Sequence, residues 1–151
     1  MIISASRRTD IPSTHCEWFL ERLKDKYVLV QNPFNKNKFY KVDLSKENVD
    51  IIVFWSKNPN IDFLEEVRNM GYKFYIHFTI TAYDKNIEKN IPNKELLIKK
   101  FINISDRFKK DKIVWRYDPI ILNKEFNSNY HIKNFSYISN ALKNYTDECI
   151  F

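Results

Sequence analysis

Short apolar runs that end abruptly in polar side chains are the feature that most constrains what this chain can fold into. The clearest is IVWRYDP at residues 113–119, in which apolar residues lead into Arg116 and Asp118 before a proline ends the stretch. An apolar strand that ends in charged groups is typical of α/β proteins, which bind ligands at the carboxyl ends of their parallel strands. Similar runs lie near residues 1–10, 51–58 and 72–84.

Segments with helical periodicity separate these runs. In residues 94–108, apolar side chains recur on one helical face at Leu97, Phe101, Ile104 and Phe108. The patterns together predict the order β-α-(ββ)-β-α-β-α-β-α-β. The predicted strands are 1–5, 27–30, 38–44, 51–54, 72–80, 112–117 and a last one from 149. The predicted helices are 13–24, 60–70, 94–108 and 128–145.

The helix ends carry local signals. Thr14 and Glu17 have the spacing of a capping box, which would begin the first helix, and Trp18 is expected to face inward. Gly71 follows the second helix at the position where a left-handed residue commonly ends a helix.

Apolar strands that alternate with amphipathic helices predict a parallel sheet with right-handed crossovers. A doubly wound sheet and a (β/α) barrel both fit this pattern, although about five repeating strands are fewer than a closed barrel needs. We therefore predict an α/β fold, a partial (β/α) barrel of about five parallel strands with flanking helices. A β-hairpin is inserted near residues 27–44. Residues 1–151 should form one α/β domain, which is part of a larger design.

Composition excludes several classes of protein. Among 151 residues the only glycine is Gly71, which excludes the glycine-rich phosphate loops of nucleotide-binding folds. No apolar run approaches the roughly 20 residues that span a bilayer, and no signal peptide is recognisable. Cys16 and Cys149 lack metal spacing, which predicts a reducing cytoplasmic location, no disulfide scaffold and no metal site. The net charge of +6 fits a solvated basic surface or a face that binds phosphate or nucleic acid.

Because the carboxyl ends of parallel strands lie on the same side of a sheet, the polar residues after these strands should lie close together. Arg7 and Arg8 could hold a carboxylate or phosphate through paired hydrogen bonds. Alternatively, one of them pairs with Asp10 and the other lies in water. Lys57 could bind an anion, form a Schiff base, or be an ordinary surface lysine.

Arg116 and Asp118 should share one face, because they are two residues apart in an extended stretch. They could form a structural ion pair, or Arg116 could hold a substrate while Asp118 acts as acid, base or hydrogen-bond acceptor. Aromatic residues next to these strand ends, Trp55 and Tyr117 among them, could form a wall for a flat ligand or belong to the core. His77 lies within an apolar strand and is interpreted as a buried, hydrogen-bonded histidine.

The expected ligand is a small anionic molecule. The candidate catalytic residues are Asp10, Lys57, Arg116 and Asp118. The candidate ligand-binding residues are Ser6, Arg7, Arg8, Trp55, Asn58, Thr79 and Tyr117.

Four strings carry a resemblance to a known family. They are SASRRTDIP at residues 4–12, NPFN at 32–35, VFWSKNP at 53–59 and WRYDP at 115–119. Together they resemble a bacterial family called domain-of-unknown-function family 1848. The resemblance extends over residues 1–151 in one register.

The resemblance implies that full-length relatives are about twice as long and carry a C-terminal cysteine cluster similar to that of radical S-adenosylmethionine enzymes, which are (β/α) barrels. S-adenosylmethionine and a [4Fe–4S] cluster are thus implied for those relatives only. This sequence has too few cysteines to hold such a cluster, so we expect this chain alone to lack redox activity. It would be the N-terminal, substrate-side half of such an enzyme, as a truncated product or one piece of a split protein.

Other hypotheses stay open at this point. The chain could be a basic module that binds a phosphorylated ligand or nucleic acid without catalysis, or an inactive remnant. Because a half barrel leaves strand edges unpaired, we also expect self-association or a missing C-terminal half.

Overall fold

A computed structural model describes residues 1–6 and 8–151. The strands are β1 (Ile2–Ser4), β2 (Tyr27–Gln31), β3 (Phe39–Asp43), β4 (Ile51–Ser56), β5 (Phe74–Thr79), β6 (Ile113–Arg116) and β7 (Cys149–Ile150). The helices are α1 (Ile11–Thr14), α2 (Cys16–Asp25), α3 (Ile61–Asn69), α4 (Lys94–Phe108) and α5 (Ser128–Leu142), with a short 3₁₀ turn at Lys110–Lys112. No helix in this part of the chain is long and apolar enough to cross a membrane.

The main sheet has five parallel strands in the order β1-β4-β5-β6-β7, and β2 and β3 form a separate antiparallel hairpin. The predicted α/β class, the five parallel strands, the flanking helices and the inserted hairpin are confirmed. The strand order never reverses along the chain, whereas a doubly wound sheet reverses its direction at a switch point. The sheet is therefore wound in one direction, as in a (β/α) barrel.

All four long helices pack on the same face of this sheet. Phe54 of β4 contacts Phe19 of α2 and Phe63 of α3, while Phe78 of β5 stacks on Phe101 of α4. Trp115, which is paired with Phe78 across the sheet, stacks on Phe135 of α5. The core lies between the sheet and these helices, and in β5 and β6 the buried residues alternate with half-buried residues on the opposite face.

The opposite face carries no helix within the described residues. In β5 the residues on this face are Tyr75, His77 and Thr79, and all three are only half-buried. Trp55 of β4 and Arg116 of β6 are paired with His77 and Thr79, so they lie on the same open face. The polar residues at the carboxyl ends of the strands therefore project from a face that is accessible.

The helix ends follow local rules with one exception. Gly71 has a φ of +86° directly after α3, as predicted for a left-handed C-terminal residue. At the start of α3, the side chain of Asn60 accepts hydrogen bonds from the backbone N–H groups of Asp62 and Phe63.

The exception is the predicted helix 13–24, which is broken at His15 into α1 and α2. The predicted capping box does not form, because Thr14 is the last residue of α1 and His15 occupies the N-cap position of α2, without a side-chain cap hydrogen bond. The Thr14 hydroxyl donates to the backbone carbonyl of Asp10 at 2.8 Å. The expectation that Trp18 faces inward is also wrong, since 44% of this residue is exposed.

Candidate functional site

A cavity of about 580 Å³ lies at the carboxyl ends of β1, β4, β5 and β6. The described residues that line it are Ser6, Arg8, Thr9, Asp10, Trp55, Ser56, Lys57, Thr79, Arg116 and Asp118. All four candidate catalytic residues are among them, together with four of the candidate ligand-binding residues. The parallel arrangement brings these residues together, since the carboxyl ends of all these strands lie on the same side of the sheet.

Asp10 connects the loops after β1 and β4. Its Oδ2 accepts a hydrogen bond from the backbone N–H of Lys57 at 2.9 Å. Its Oδ1 is buried and has no hydrogen-bond partner among residues 1–6 and 8–151. One carboxylate oxygen is thus engaged in holding the two loops together, and the hydrogen-bonding capacity of the other is unused within the described residues.

Ser6 follows β1 and has an unusual backbone conformation. Its φ of +71° is in the left-handed region, and for a residue other than glycine this conformation costs on the order of 1–3 kcal/mol of free energy. Its hydroxyl oxygen is buried and, in the described part of the chain, has no hydrogen-bond partner. Backbone strain and unsatisfied polar atoms are both concentrated at functional sites.

Arg116 and Asp118 form the ion pair that their spacing allows. The Nη2 atom of Arg116 lies 2.6 Å from Oδ2 of Asp118. The Nε atom of Arg116 is buried without a hydrogen-bond acceptor among the described residues. The pair with Asp118 therefore does not use every donor of the guanidinium.

Lys57 pairs with a residue that the sequence did not single out. Its ammonium group contacts the carboxylate of Glu88, whose side chain is only 12% exposed. Glu88 follows β5 in the loop that leads to α4, far from Lys57 in sequence. A polar loop after a strand is only a weak indication that one of its residues belongs to a site, so the sequence did not identify Glu88 as the partner of Lys57.

Arg8 extends from the loop after β1 toward the hairpin. Its Nη2 donates to the backbone carbonyl of Gln31 at 3.1 Å. Arg8 is exposed and lines the cavity, whereas the candidate Arg7 lies outside the described residues.

Trp55 and His77 stack on each other on the open face of the sheet. Their rings are stacked with centroids 5.3 Å apart and planes inclined by 7°. Burial, together with the nearby charge of Arg116, lowers the pKa of His77, so the imidazole is held neutral. Its Nδ1 atom is buried without a hydrogen-bond partner in residues 1–6 and 8–151, contrary to the hydrogen-bonded histidine expected from the sequence.

Two candidate ligand-binding residues lie outside the cavity. Tyr117 is only 2% exposed, because strand alternation turns it toward the helices, where its hydroxyl lies 3.0 Å from Nδ1 of His131. The side chain of Asn58 accepts a hydrogen bond from Lys100. It lines a separate polar cavity of about 400 Å³, which also contains Arg107.

The described residues do not form a metal centre. No group of three or more histidine, cysteine, aspartate or glutamate side chains among them could hold a metal ion. The only cysteines in the sequence are Cys16, on α2, and Cys149, on β7. Burial raises the pKa of the Cys16 thiol and raises that of Cys149 to about 11, which disfavours the thiolate form that ligates metals.

Comparison with protein-family models gives one decisive finding. The model of the family described as Domain of unknown function (DUF1848) matches residues 2–151. The chain belongs to this DUF1848 family. Comparison with curated proteins and with solved structures found no match. The motifs that carry the DUF1848 resemblance include the strand-end segments that line the cavity, at residues 4–12, 53–59 and 115–119.

Proposed function

We propose that the chain binds a small organic anion, a carboxylate or a phosphate ester, and that it is the substrate-binding part of an α/β enzyme. The observation that carries this proposal is the set of polar groups around one cavity. Arg8 and Arg116 supply guanidinium groups, and the Nε atom of Arg116 lacks an acceptor among the described residues. A carboxylate or phosphate oxygen matches these donors in charge and geometry.

The two carboxylates of the cavity have different surroundings. Asp118 is paired with Arg116, whereas Asp10 keeps one buried oxygen without a partner in the part of the chain that the structure describes. An acceptor of this kind suits a hydroxyl or ammonium group on the same ligand. The proposed ligand therefore carries an anionic group for the arginines and a hydrogen-bond donor for Asp10.

The residues of this chain do not fit the iron–sulfur cluster of radical S-adenosylmethionine enzymes. An iron–sulfur cluster requires several thiolate ligands, and two cysteines on separate elements do not provide them. We assign no redox step to these residues. The role proposed for them is to bind and orient the anion.

Calorimetric titration with inorganic phosphate and with malonate tests the proposal. We expect Arg116→Gln to weaken binding by at least about tenfold, because a charge-assisted hydrogen bond is lost from a half-buried group. Arg107→Gln is the matched control, since it removes a guanidinium from the separate polar cavity. If neither anion binds, or if only the control variant weakens binding, the assignment of this cavity is wrong.

Nucleic-acid binding is a second candidate function, and the hairpin favours it. Phe34, Phe39 and Tyr40 are exposed there among lysines such as Lys38 and Lys41, as on surfaces that stack single-stranded bases. Salt-sensitive binding of an oligothymidine that Phe39→Ala weakens and Arg116→Gln leaves unchanged would support this candidate. Binding that is insensitive to Phe39→Ala would count against it.

A further inference from the structure

A second large cavity lies between β1 and the hairpin, and it shares Ser6, Arg8 and Thr9 with the anion site. We call it the edge groove. Its volume is about 690 Å³, and apolar groups form most of its wall. Ile2 and Ile3 lie on one side, Val28 and Leu29 on the other, and Trp18 and Phe19 also line it. Ile2, Trp18 and Leu29 are large apolar residues left exposed in this structure.

One side of the edge groove is the free edge of the parallel sheet. Among the described residues β1 pairs only with β4, and the backbone N–H of Ala5 donates to the carbonyl of Val53. Backbone groups of successive residues in a strand point to opposite edges. The N–H and C=O groups of Ile2 and Ser4 therefore point away from β4, toward the groove.

The other side is the free edge of the hairpin. Asn32 N–H donates to the Lys38 carbonyl and Leu44 N–H donates to the Lys26 carbonyl, which fixes the even-numbered residues of β2 as the ones bonded to β3. The backbone groups of Leu29 and Gln31 must then point outward. The carbonyl of Gln31 accepts a hydrogen bond from Arg8, so this outward edge faces the β1 side.

We propose that the edge groove accepts an extended peptide strand from a partner protein, apolar at alternate positions. Among the described residues, the backbone groups of Ile2 and Ser4 on one wall and of Leu29 on the other have no hydrogen-bond partner. An extended strand satisfies such donors and acceptors, and an alkyl chain does not. The apolar residues of the walls suit alternate side chains of such a strand. Opposite Met1–Ala5, the inserted segment has about five residues, a length of ~16 Å. It joins the five-stranded sheet to the hairpin.

The test uses a soluble peptide of alternating valine and threonine with a lysine at each end. Two isomers of it carry N-methyl groups on the amides of one edge or of the other. We expect the parent peptide to slow hydrogen exchange at the amides of Ile2, Ser4 and Leu29, as measured by NMR. Because the groove has two hydrogen-bonding walls, both methylated isomers should lose at least about tenfold in affinity.

Variants of the protein provide a second measurement. Ser4→Pro removes an N–H that points into the groove, while Ser4→Ala keeps it and serves as the matched control. We expect only the proline variant to lose affinity for the peptide. The methylated isomers act on the unaltered protein, so they decide the question even if Ser4→Pro does not fold.

Several results would overturn the proposal. One is the absence of protection by the peptide, or retention of full affinity by one methylated isomer. Another is binding of dodecanoate in the groove where the peptide fails, which would identify a site for acyl chains. Protection of Ile2 and Ser4 that rises with protein concentration, together with a doubled mass in light scattering, would assign the groove to a second copy of this chain.

Discussion

Single side chains connect the loops that form the anion cavity. Asp10 holds the loop after β4 through the N–H of Lys57, and Lys57 in turn contacts Glu88 in the loop after β5. Removal of one such partner leaves buried polar groups unsatisfied, which costs more than the hydrogen bond itself contributes. The loops of this site therefore depend on each other for their positions.

The hydroxyl group of Tyr117 is predicted to contribute to the stability of the fold and not to ligand binding. Tyr117→Phe should lower the free energy of unfolding by about 1–2 kcal/mol, because Nδ1 of the buried His131 loses its partner. Denaturant titration measures this change, and Tyr137→Phe on the exposed side of α5 is the matched control, with little expected effect. Phosphate affinity should stay unchanged. A large loss of affinity would instead return Tyr117 to the binding site.

His77 predicts a pH dependence of stability. Its pKa is lowered in the folded protein, so the unfolded chain binds more protons as the pH falls below about 6.5. The contribution of His77 is therefore complete above that pH and is lost as the pH falls toward the folded value. His77→Phe keeps an aromatic ring next to Trp55 and should flatten the stability profile in this range. Parallel profiles for the two proteins would show that His77 does not titrate differently on folding.

At the scale of elements, the turn after α3 depends on a backbone conformation that side chains disfavour. Gly71→Ala should destabilise the protein by about 1 kcal/mol, because φ is +86° there. The new methyl group itself would meet only the flexible side chain of Lys46 at 3.4 Å. Asn69→Ala, at the end of the helix, is the control in thermal denaturation. Equal melting temperatures for the two variants would contradict this account.

Periodic elements were predictable from the sequence because their signals are local. Helix α4 begins and ends at the predicted residues, since an unbroken apolar stripe runs along one of its faces. The break at His15 was not predictable, because Thr14 already belongs to the short helix α1, which the spacing of Thr14 and Glu17 does not reveal.

The site was predictable to the extent that strand direction determines it. Parallel strands bring Asp10, Lys57 and Arg116 to one edge, whatever their partners are. The partners of polar groups were not predictable, as shown by the contacts of Lys57 with Glu88 and of Asn58 with Lys100. These pairs join loops and helices that are distant in sequence, and no periodic pattern encodes them.

At the scale of the whole molecule, the sheet is covered on one face only within the described residues. Ile2 and Ile150, on the two edge strands of that sheet, are exposed. Edge strands of this kind invite pairing with another chain. Self-association and the presence of a missing half stay predictions, and light scattering at several protein concentrations would measure the first of them.

The order of strands in the sheet also bears on how the chain is assembled during synthesis. Each later strand pairs with the strand that precedes it in the sheet order, so no strand must be inserted between two earlier ones. A growing polypeptide emerges from the ribosome N-terminus first, and its early segments can form structure before the rest is made. Each new β–α unit can thus add to an edge that already exists, and the nascent sheet extends in the direction of translation.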